Sequence, residues 1–423
     1  MANTIKTGLK ILIVGSGGRE HALAWALKRS PYTGTLLIAP GNAGTAQLGE
    51  NISIPADNLP ALVECAKSRA VDLVIVGPEV PLALGLVDSL LAAGIRAFGP
   101  TEKAAQLEAS KRFAKDFMSA HGIPTARYAA FDDHTRAVAY VEQLDGPMVI
   151  KADGLAAGKG VIVCENAADA RDALTRMMLD DAFAGAGEQA VIEERLTGKE
   201  VSLMAFSDGT HVSVLPPARD HKRIFDQDQG ENTGGMGAYA YPPDVTPELV
   251  AQITRDVIQP TVDGMRARGT PFVGVLYPGL MLTPDGPRVL EYNARFGDPE
   301  TQALLPLLET DLVEVIFACL DGTLDQLDIR WKAGTCATIV AAAPGYPGKY
   351  PRGAAITGLD SVRDAVVFHA GTALKDGELV TSGGRVLAVS AVGASLNEAI
   401  TRAYEGIAQV RFDGMHYRRD IGR

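Results

Sequence analysis

Four short apolar runs, each cut off near a glycine or proline and followed by helical spacing, fill the first hundred residues. The runs at 11–14, 36–39, 73–76 and 95–98 read as buried parallel strands, and the pattern predicts helices near 20–28, 60–68, 80–93 and 102–108. That cadence is an open parallel βαβ sheet, whose loops collect at the carboxyl ends of the strands. Residues 110–122 continue as a linking helix ended by Gly122 and Pro124. The pattern then changes. From residue 127 to about 192 it reads strand, helix, a strand ending at Lys151, a glycine-rich loop, a strand at 160–164, a helix and a strand. Longer strands follow at 200–207, 211–215, 272–282 and 288–294, with a helix near 247–268 and a structureless polar stretch over 220–238. Strands at 336–341, 366–370 and 385–392 with a helix at 396–409 make 333–423 a small α+β unit.

Composition bounds the picture. A chain of 423 residues holds about three domains at roughly 150 residues each. Hydrophobic residues at 47% and charged ones at 22% are ordinary for a soluble globular protein. The net charge of −11 argues against a general nucleic-acid binder, so an anionic substrate must be met by local lysines, arginines and backbone N–H groups. The first apolar run is too short for a secretory signal, and no run of about 18 apolar residues suggests a membrane span. Cys65, Cys164, Cys319 and Cys336 lack metal-ligand spacing and read as small buried hydrophobes in a reducing, cytoplasmic setting.

The candidate chemistry lies where strands end. Alternation on a strand puts Glu291, Asn293 and Arg295 on one face. A carboxylate, an amide oxygen and a guanidinium suit a hard cation bridging phosphates, with a positive charge beside it. An ordinary exposed strand face would look the same; glycine loops and lysines upstream tip the balance. Gly15-Ser16-Gly17-Gly18 follows the first strand and opens a helix, an arrangement suited to an anion. The spacing departs from the dinucleotide G-x-G-x-x-G, and the second strand ends without an acid, which favours a small phosphorylated molecule over a dinucleotide. The loops holding Asn42 and Gly44, and Pro78 and Glu79, end later strands of the same sheet. Glu79 suits sugar hydroxyls or, more simply, a helix N-terminus.

Lys151 stands at a strand end, and the small-residue loop after it carries Gly154, Gly158, Lys159 and Gly160. Such a loop folds over a triphosphate while its lysines neutralise charge, although it is not a P-loop, and a flexible hairpin with solvated lysines is the alternative. Glu193, Glu194, Arg195, Leu196 and Glu200 sit between two strands, placed to meet an adenine edge and ribose hydroxyls or simply to form a charged turn. Asp220, His221 and Lys222 open the polar stretch, and Asn232, Gly234 and Gly235 close it; His221 reads as structural.

Four segments together resemble the phosphoribosylamine–glycine ligase family of the ATP-grasp superfamily: GSGGREHALAW at 15–25, KADGLAAGKGVIV at 151–163, DHKR at 220–223 with NTGGMGAY at 232–239, and RFGDPETQ at 295–302. The resemblance covers essentially the whole chain. It implies a multidomain α/β and α+β architecture: an N-terminal open parallel βαβ sheet (1–108), a two-lobed ATP-grasp core with its large lobe at 109–126 and 193–328 and its lid at 127–192, and a small C-terminal α+β domain (329–423). It implies ligation of glycine to 5-phosphoribosylamine through a glycyl phosphate, with ATP and Mg²⁺ or Mn²⁺, in de novo purine synthesis. By the same resemblance Lys111 and Lys151 hold ATP phosphates under the lid loop, residues 193–196 frame adenine, Glu200 takes the ribose, and Glu291 and Asn293 hold the metal. Asp220 and Arg295 bind glycine or its phosphorylated form, flanked by Lys222, Asn232, Gly234 and Gly235. Gly15, Gly17, Gly18, Asn42, Gly44, Pro78 and Glu79 bind phosphoribosylamine, with Lys349 and Arg352 closing on it. The implied partners are these small molecules alone, not nucleic acid or membrane, for a cytoplasmic monomer or weak dimer.

Two departures stand out. The strand at 272–282 lacks the further acidic metal ligand many ATP-grasp enzymes place there, and 223–231 is poorer in glycine and proline than the family pattern. A ligase with another acceptor, an NAD-linked dehydrogenase and a non-catalytic nucleotide sensor are the competing readings. The missing second-strand acid counts against the dehydrogenase, and the two lysines with Glu291 and Asn293 count against the sensor.

Overall fold

The computed structural model describes residues 5–423 apart from 145, 156–159 and 181–186. Its first sheet is parallel throughout, in the order Glu50–Asn51, Thr33–Pro40, Leu9–Gly15, Leu73–Val76, Arg96–Phe98. Alternation along Leu9–Gly15 sends Ile11 and Ile13 into one core and Leu12 and Val14 into another, so both faces of the sheet are covered. Winding runs outward from Leu9–Gly15 in both directions, which opens a crevice beyond the carboxyl ends of Leu9–Gly15 and Leu73–Val76. The helix expected at 80–93 is two helices, Glu79–Ala83 and Leu86–Ala92, because Gly85 takes φ of 82° between them.

The lid is an antiparallel sheet in the order Tyr128–Phe131, Ala190–Glu194, Met148–Ala152, Val161–Cys164. The helices His134–Val141 and Ala167–Met178 cover one face, where Ala137, Val141, Ala173 and Leu174 pack on Ile150 and Ile192. The other face is left for the cleft.

A large antiparallel sheet forms the opposite wall. Val273–Thr283 is its spine, pairing with Ala205–Asp208, Lys199–Ser202 and Gly286–Asn293. The strand expected at 200–207 is interrupted, yet its register carries on, setting Leu203 opposite Pro278, which has no N–H for the ladder. The helix near 247–268 widens to a π turn at Thr254–Ile258, just ahead of Pro260, for the same reason.

The stretch 220–238, expected to be structureless, is built. Ala218–Asp220 and Gly237–Ala240 are strands of the large sheet, and Arg223–Phe225 pairs with Gln229–Asn232 as a hairpin between them. Gly237–Ala240 then pairs with Thr335–Ala342, which pairs with Arg385–Gly393 and, beyond it, Val366–His369. The strands of the small C-terminal α+β unit thus continue the large sheet, and residues near their ends reach the cleft.

Candidate active site

A cleft of about 840 Å³ lies between the lid and the large sheet. Its floor comes from Gly286–Asn293. Pairing with the spine sets Glu291 opposite Gly279 and Asn293 opposite Tyr277, with a bulge that leaves Leu290 outside the ladder. The bulge frees the Leu290 carbonyl to accept from Lys151 Nζ at 2.8 Å. No described residue donates a hydrogen bond to the Glu291 carboxylate. Burial favours its neutral form, but Lys222, Lys111, Lys151 and Arg295 outweigh it and hold the pKa down at about 2. The Asn293 amide nitrogen reaches the Tyr277 carbonyl at 3.5 Å, which turns its oxygen toward the cleft. Two uncommitted oxygens side by side, one charged, fit a hard divalent cation. With Gly279 opposite, the spine adds no carboxylate.

Arg295 lies just past the strand, clamped by Glu108 at 2.9 Å and Glu79 at 3.3 Å. Burial works against its charge, yet Glu108 and Glu79 hold that charge more firmly than usual. Glu108 also accepts the Ala294 N–H at 2.7 Å, so the helix Glu102–Ala109 fixes both the backbone and the guanidinium.

The lid contributes Lys151 and an apolar wall of Val149, Val161 and Val163, facing Met281 and Leu290 across the gap. The slot suits a flat heterocycle, and the alternation of 149, 161 and 163 with core positions is the signal by which those valines were findable. Glu194, Arg195, Leu196 and Glu200 line its edge, as do Gly160 and Lys111. Gly154 sits at the root of the lid loop, outside the lining, and Gly158 and Lys159 lie outside the described residues. Glu193 also lines the cleft, with its carboxylate buried between Lys115 Nζ at 2.8 Å and Lys151 Nζ at 2.9 Å, so its side chain is committed to two lysines and only its backbone is left for an adenine edge. Burial draws the Lys115 pKa down to about 8 against the pull of Glu193.

On the far side, Asp220, Lys222 and Glu200 form a charged row, with Lys222 Nζ 3.1 Å from Glu200. Glu200 first, then Asp220 and Glu291, raise the Lys222 pKa against burial. Burial raises the Asp220 pKa to about 7, with Glu300 and Glu200 adding to it and Lys222 opposing. Behind the row, Glu300 is buried against the Tyr277 hydroxyl and Ser202. Asn232 and Gly234 also face the cleft.

The N-terminal loops divide. Pro78 and Glu79 line the cleft, joined by Arg19, which sequence reading passed over. Gly15, Gly17 and Gly18 do not. Glu20 fills the concavity of their loop, accepting the Gly17 N–H at 2.6 Å and the Arg19 Nε at 2.5 Å. A Cβ on Gly15 would come within 2.6 Å of Glu20, and one on Gly18 within 2.4 Å of Gln302. Asn42 is likewise spent: its amide nitrogen donates to Ser16 and His369 carbonyls, and its oxygen accepts from Gly44 and Thr45. Gly44 leaves room for His21 and His369. Gly235, Lys349 and Arg352 also lie outside the lining. The C-terminal residues that do reach the cleft are Tyr346 and Arg385. Arg385 Nη1 donates to the carbonyls of Gly234 at 2.6 Å and Asp298 at 2.7 Å, tying three segments together.

An antiparallel lid closing over a second sheet, with paired metal-type oxygens and converging cations beside a parallel sheet, defines an ATP-grasp ligase. Family models agree in order along the chain: the phosphoribosylglycinamide synthetase N domain over 9–108, its ATP-grasp (A) domain over 109–301 and its C domain over 336–423. A phosphoribosylamine–glycine ligase of Vibrio vulnificus is 51% identical, covering 98% of this chain and 98% of its own. The chicken trifunctional purine biosynthetic protein adenosine-3 is also 51% identical over 98% of this chain, which spans only 42% of that longer protein. The crystal structure of a phosphoribosylamine–glycine ligase from Thermotoga maritima matches with a TM-score of 0.86 at 34% identity, covering 98% of this chain and 100% of that one. The chain belongs to the phosphoribosylamine–glycine ligase family.

Proposed function

We propose that the cleft joins glycine to 5-phosphoribosylamine, converting ATP to ADP and phosphate, by way of a glycyl phosphate. Carboxylates are poor electrophiles, and transfer of the terminal phosphoryl group to the glycine carboxylate supplies a leaving group that the sugar amine then displaces as phosphate. The residues do this chiefly by positioning and charge neutralisation. Lys111 and Lys151 draw the triphosphate over the floor strand, and the valine slot beside 194–196 accepts the base, with Glu200 at the ribose. Arg295 and Lys222 neutralise the glycine carboxylate as it is phosphorylated, while ionised Asp220 holds the glycine ammonium. Glu79 and Arg19 face phosphoribosylamine from the crevice of the first sheet, the carboxylate toward its hydroxyls and the guanidinium as the positive charge beside them. Glu291 and Asn293 would hold Mg²⁺ or Mn²⁺, which when bound neutralises the charge on the transferring phosphates.

The observation that carries this reading is the pair of uncommitted oxygens on Glu291 and Asn293, ringed by Lys111, Lys151, Lys222 and Arg295. The cargo is small molecules, with no role for nucleic acid or membrane, in a cytoplasmic monomer or weak dimer; among the described residues no helix is long and apolar enough to cross a membrane. A coupled ADP-release assay with phosphoribosylamine generated in situ tests it. ADP should appear only with all three substrates and a divalent cation, and release indifferent to glycine would overturn it.

A further inference from the structure

We infer that Lys115 is a positioning residue for Lys151, acting through its share of the Glu193 carboxylate. The inference rests on reading the cleft as an ATP site. Lys115 lies on the helix Lys111–Ala120 with its side chain 2% exposed, and it is absent from the cleft lining, so it cannot touch a nucleotide held there. Its ammonium donates to Glu193 Oε2 and to the Thr125 hydroxyl, each at 2.8 Å. The other carboxylate oxygen, Oε1, faces Lys151 Nζ at 2.9 Å, without the alignment of a hydrogen bond. Lys151 spends one proton on the Leu290 carbonyl and keeps donors for the cleft.

Charge counting gives Lys115 its purpose. One buried carboxylate faces two ammonium groups, so the trio keeps a net positive charge, and of the two ammonium groups Lys151 is the one that lines the cleft. Without the Lys115 charge, Glu193 is left with Lys151 alone. The pair then cancels, Oε1 tightens on Lys151, and the ammonium is pulled off the line toward a phosphate.

The same network sets distance as well as charge. Thr125 passes its own proton to the Val289 carbonyl at 2.6 Å, and Pro124 accepts the Val289 N–H at 2.8 Å. Lys115 and Lys151 are thus tied, through Thr125 and directly, to the consecutive carbonyls of Val289 and Leu290, immediately before Glu291. Lid strand, linking helix and metal-site strand meet at a single pin.

A double-mutant cycle reads this out in the full chain. Binding of a non-hydrolysable ATP analogue with Mg²⁺ is titrated for the wild type, Lys115→Met, Glu193→Gln and the double variant, with Tm measured in parallel. Lys115→Met should weaken binding about tenfold, the scale of a partly screened charge shift at short range. Adding the same change to Glu193→Gln should leave the affinity of that single variant unaltered, because the carboxylate through which Lys115 acts is gone. A merely structural role would lower Tm and affinity additively in both backgrounds, and that additivity, or normal binding by Lys115→Met, overturns the inference. Should Lys115→Met fail to fold, Lys115→Gln, which keeps a donor for the Thr125 hydroxyl without the charge, replaces it in both arms of the cycle. Absence of nucleotide binding by the wild type would instead sink the ATP-site reading itself.

Discussion

Glu291 is defined less by its own chemistry than by four cations around it, which keep it ionised down to about pH 2 although burial opposes this. A carboxylate so held stays charged throughout the working pH range, and its oxygens, to which no described residue donates a hydrogen bond, remain open to a divalent cation. We therefore expect Glu291→Ala to lower kcat by about 10²–10³-fold, the cost typical of deleting one preorganised electrostatic contact, with a smaller effect on ATP affinity. Steady-state kinetics with separate nucleotide titration checks this, and near-normal turnover would refute it. Asp220 is poised the other way. Its carboxyl is raised to about 7 in the free enzyme by burial and by Glu300 and Glu200, so it binds a proton that an unfolded chain would release near 4. Folding stability from this group therefore falls as pH rises from about 4 to 7, while the role proposed for it, holding the glycine ammonium as a carboxylate, strengthens over the upper part of that window. The kcat/KM for glycine should climb to a plateau with an apparent pKa near 7, and Asp220→Asn should lower the plateau and remove that limb.

At the scale of elements, the hairpin Arg223–Phe225/Gln229–Asn232 matters most. It carries Asn232 at one root and adjoins Lys222 at the other, where Thr233 N–H closes on the Lys222 carbonyl at 2.7 Å. The C-terminal tail holds its outer side. Arg418, 1% exposed, donates to Asp228 at 2.7 Å and to the Arg223 carbonyl at 3.1 Å, while Asp420 accepts the Gln227 N–H at 2.8 Å. Gln227 and Asp228 both take positive φ, 58° and 52°, which puts their side chains and N–H groups in line with those partners. Arg418→Met should cost about 2 kcal/mol or more, the scale of lost charged hydrogen bonds, seen as a lower midpoint in urea. Its kinetic mark should be a raised KM for glycine with KM for ATP nearly unchanged, and a uniform rise in both would show that the hairpin does not act on the glycine side.

The whole molecule is joined at a seam between the first sheet and the C-terminal strands. The His369 N–H donates to His21 Nδ1 at 2.7 Å, with the rings 5.3 Å apart. Burial, and for His21 the neighbouring His369, lowers their pKa values to about 3 and about 4. Both are neutral when folded and take up protons on unfolding below about 6.5, so each adds up to about 1.4 kcal/mol of lost stability per pH unit as pH falls from 6.5 toward 4. Denaturation followed across that range should show the decline, and His21→Gln, which keeps an acceptor without the titration, should flatten part of it.

The sequence by itself determined the parallel first sheet, the lid strands and the floor strand, because burial on both faces or on one writes periodicity directly into residue order. It also marked Glu291, Asn293, Arg295, Lys151 and Lys222, which the structure brings to one cleft, through the glycine loops and lysines that accompany them and through the family resemblance. Only the tertiary structure decided which of the marked residues face the cleft. Gly15, Gly17, Gly18, Asn42 and Gly44 look like an anion loop in one dimension, yet Glu20 and His369 occupy the space around them. Lys115, Arg385 and Arg418 carry little local signal, because a charged residue on a helix, a strand end or a terminus reads as solvated until Glu193, Asp298 and Asp228 arrive from more than seventy positions away. Pairing of buried charges is a property of distance in space, which residue spacing cannot encode.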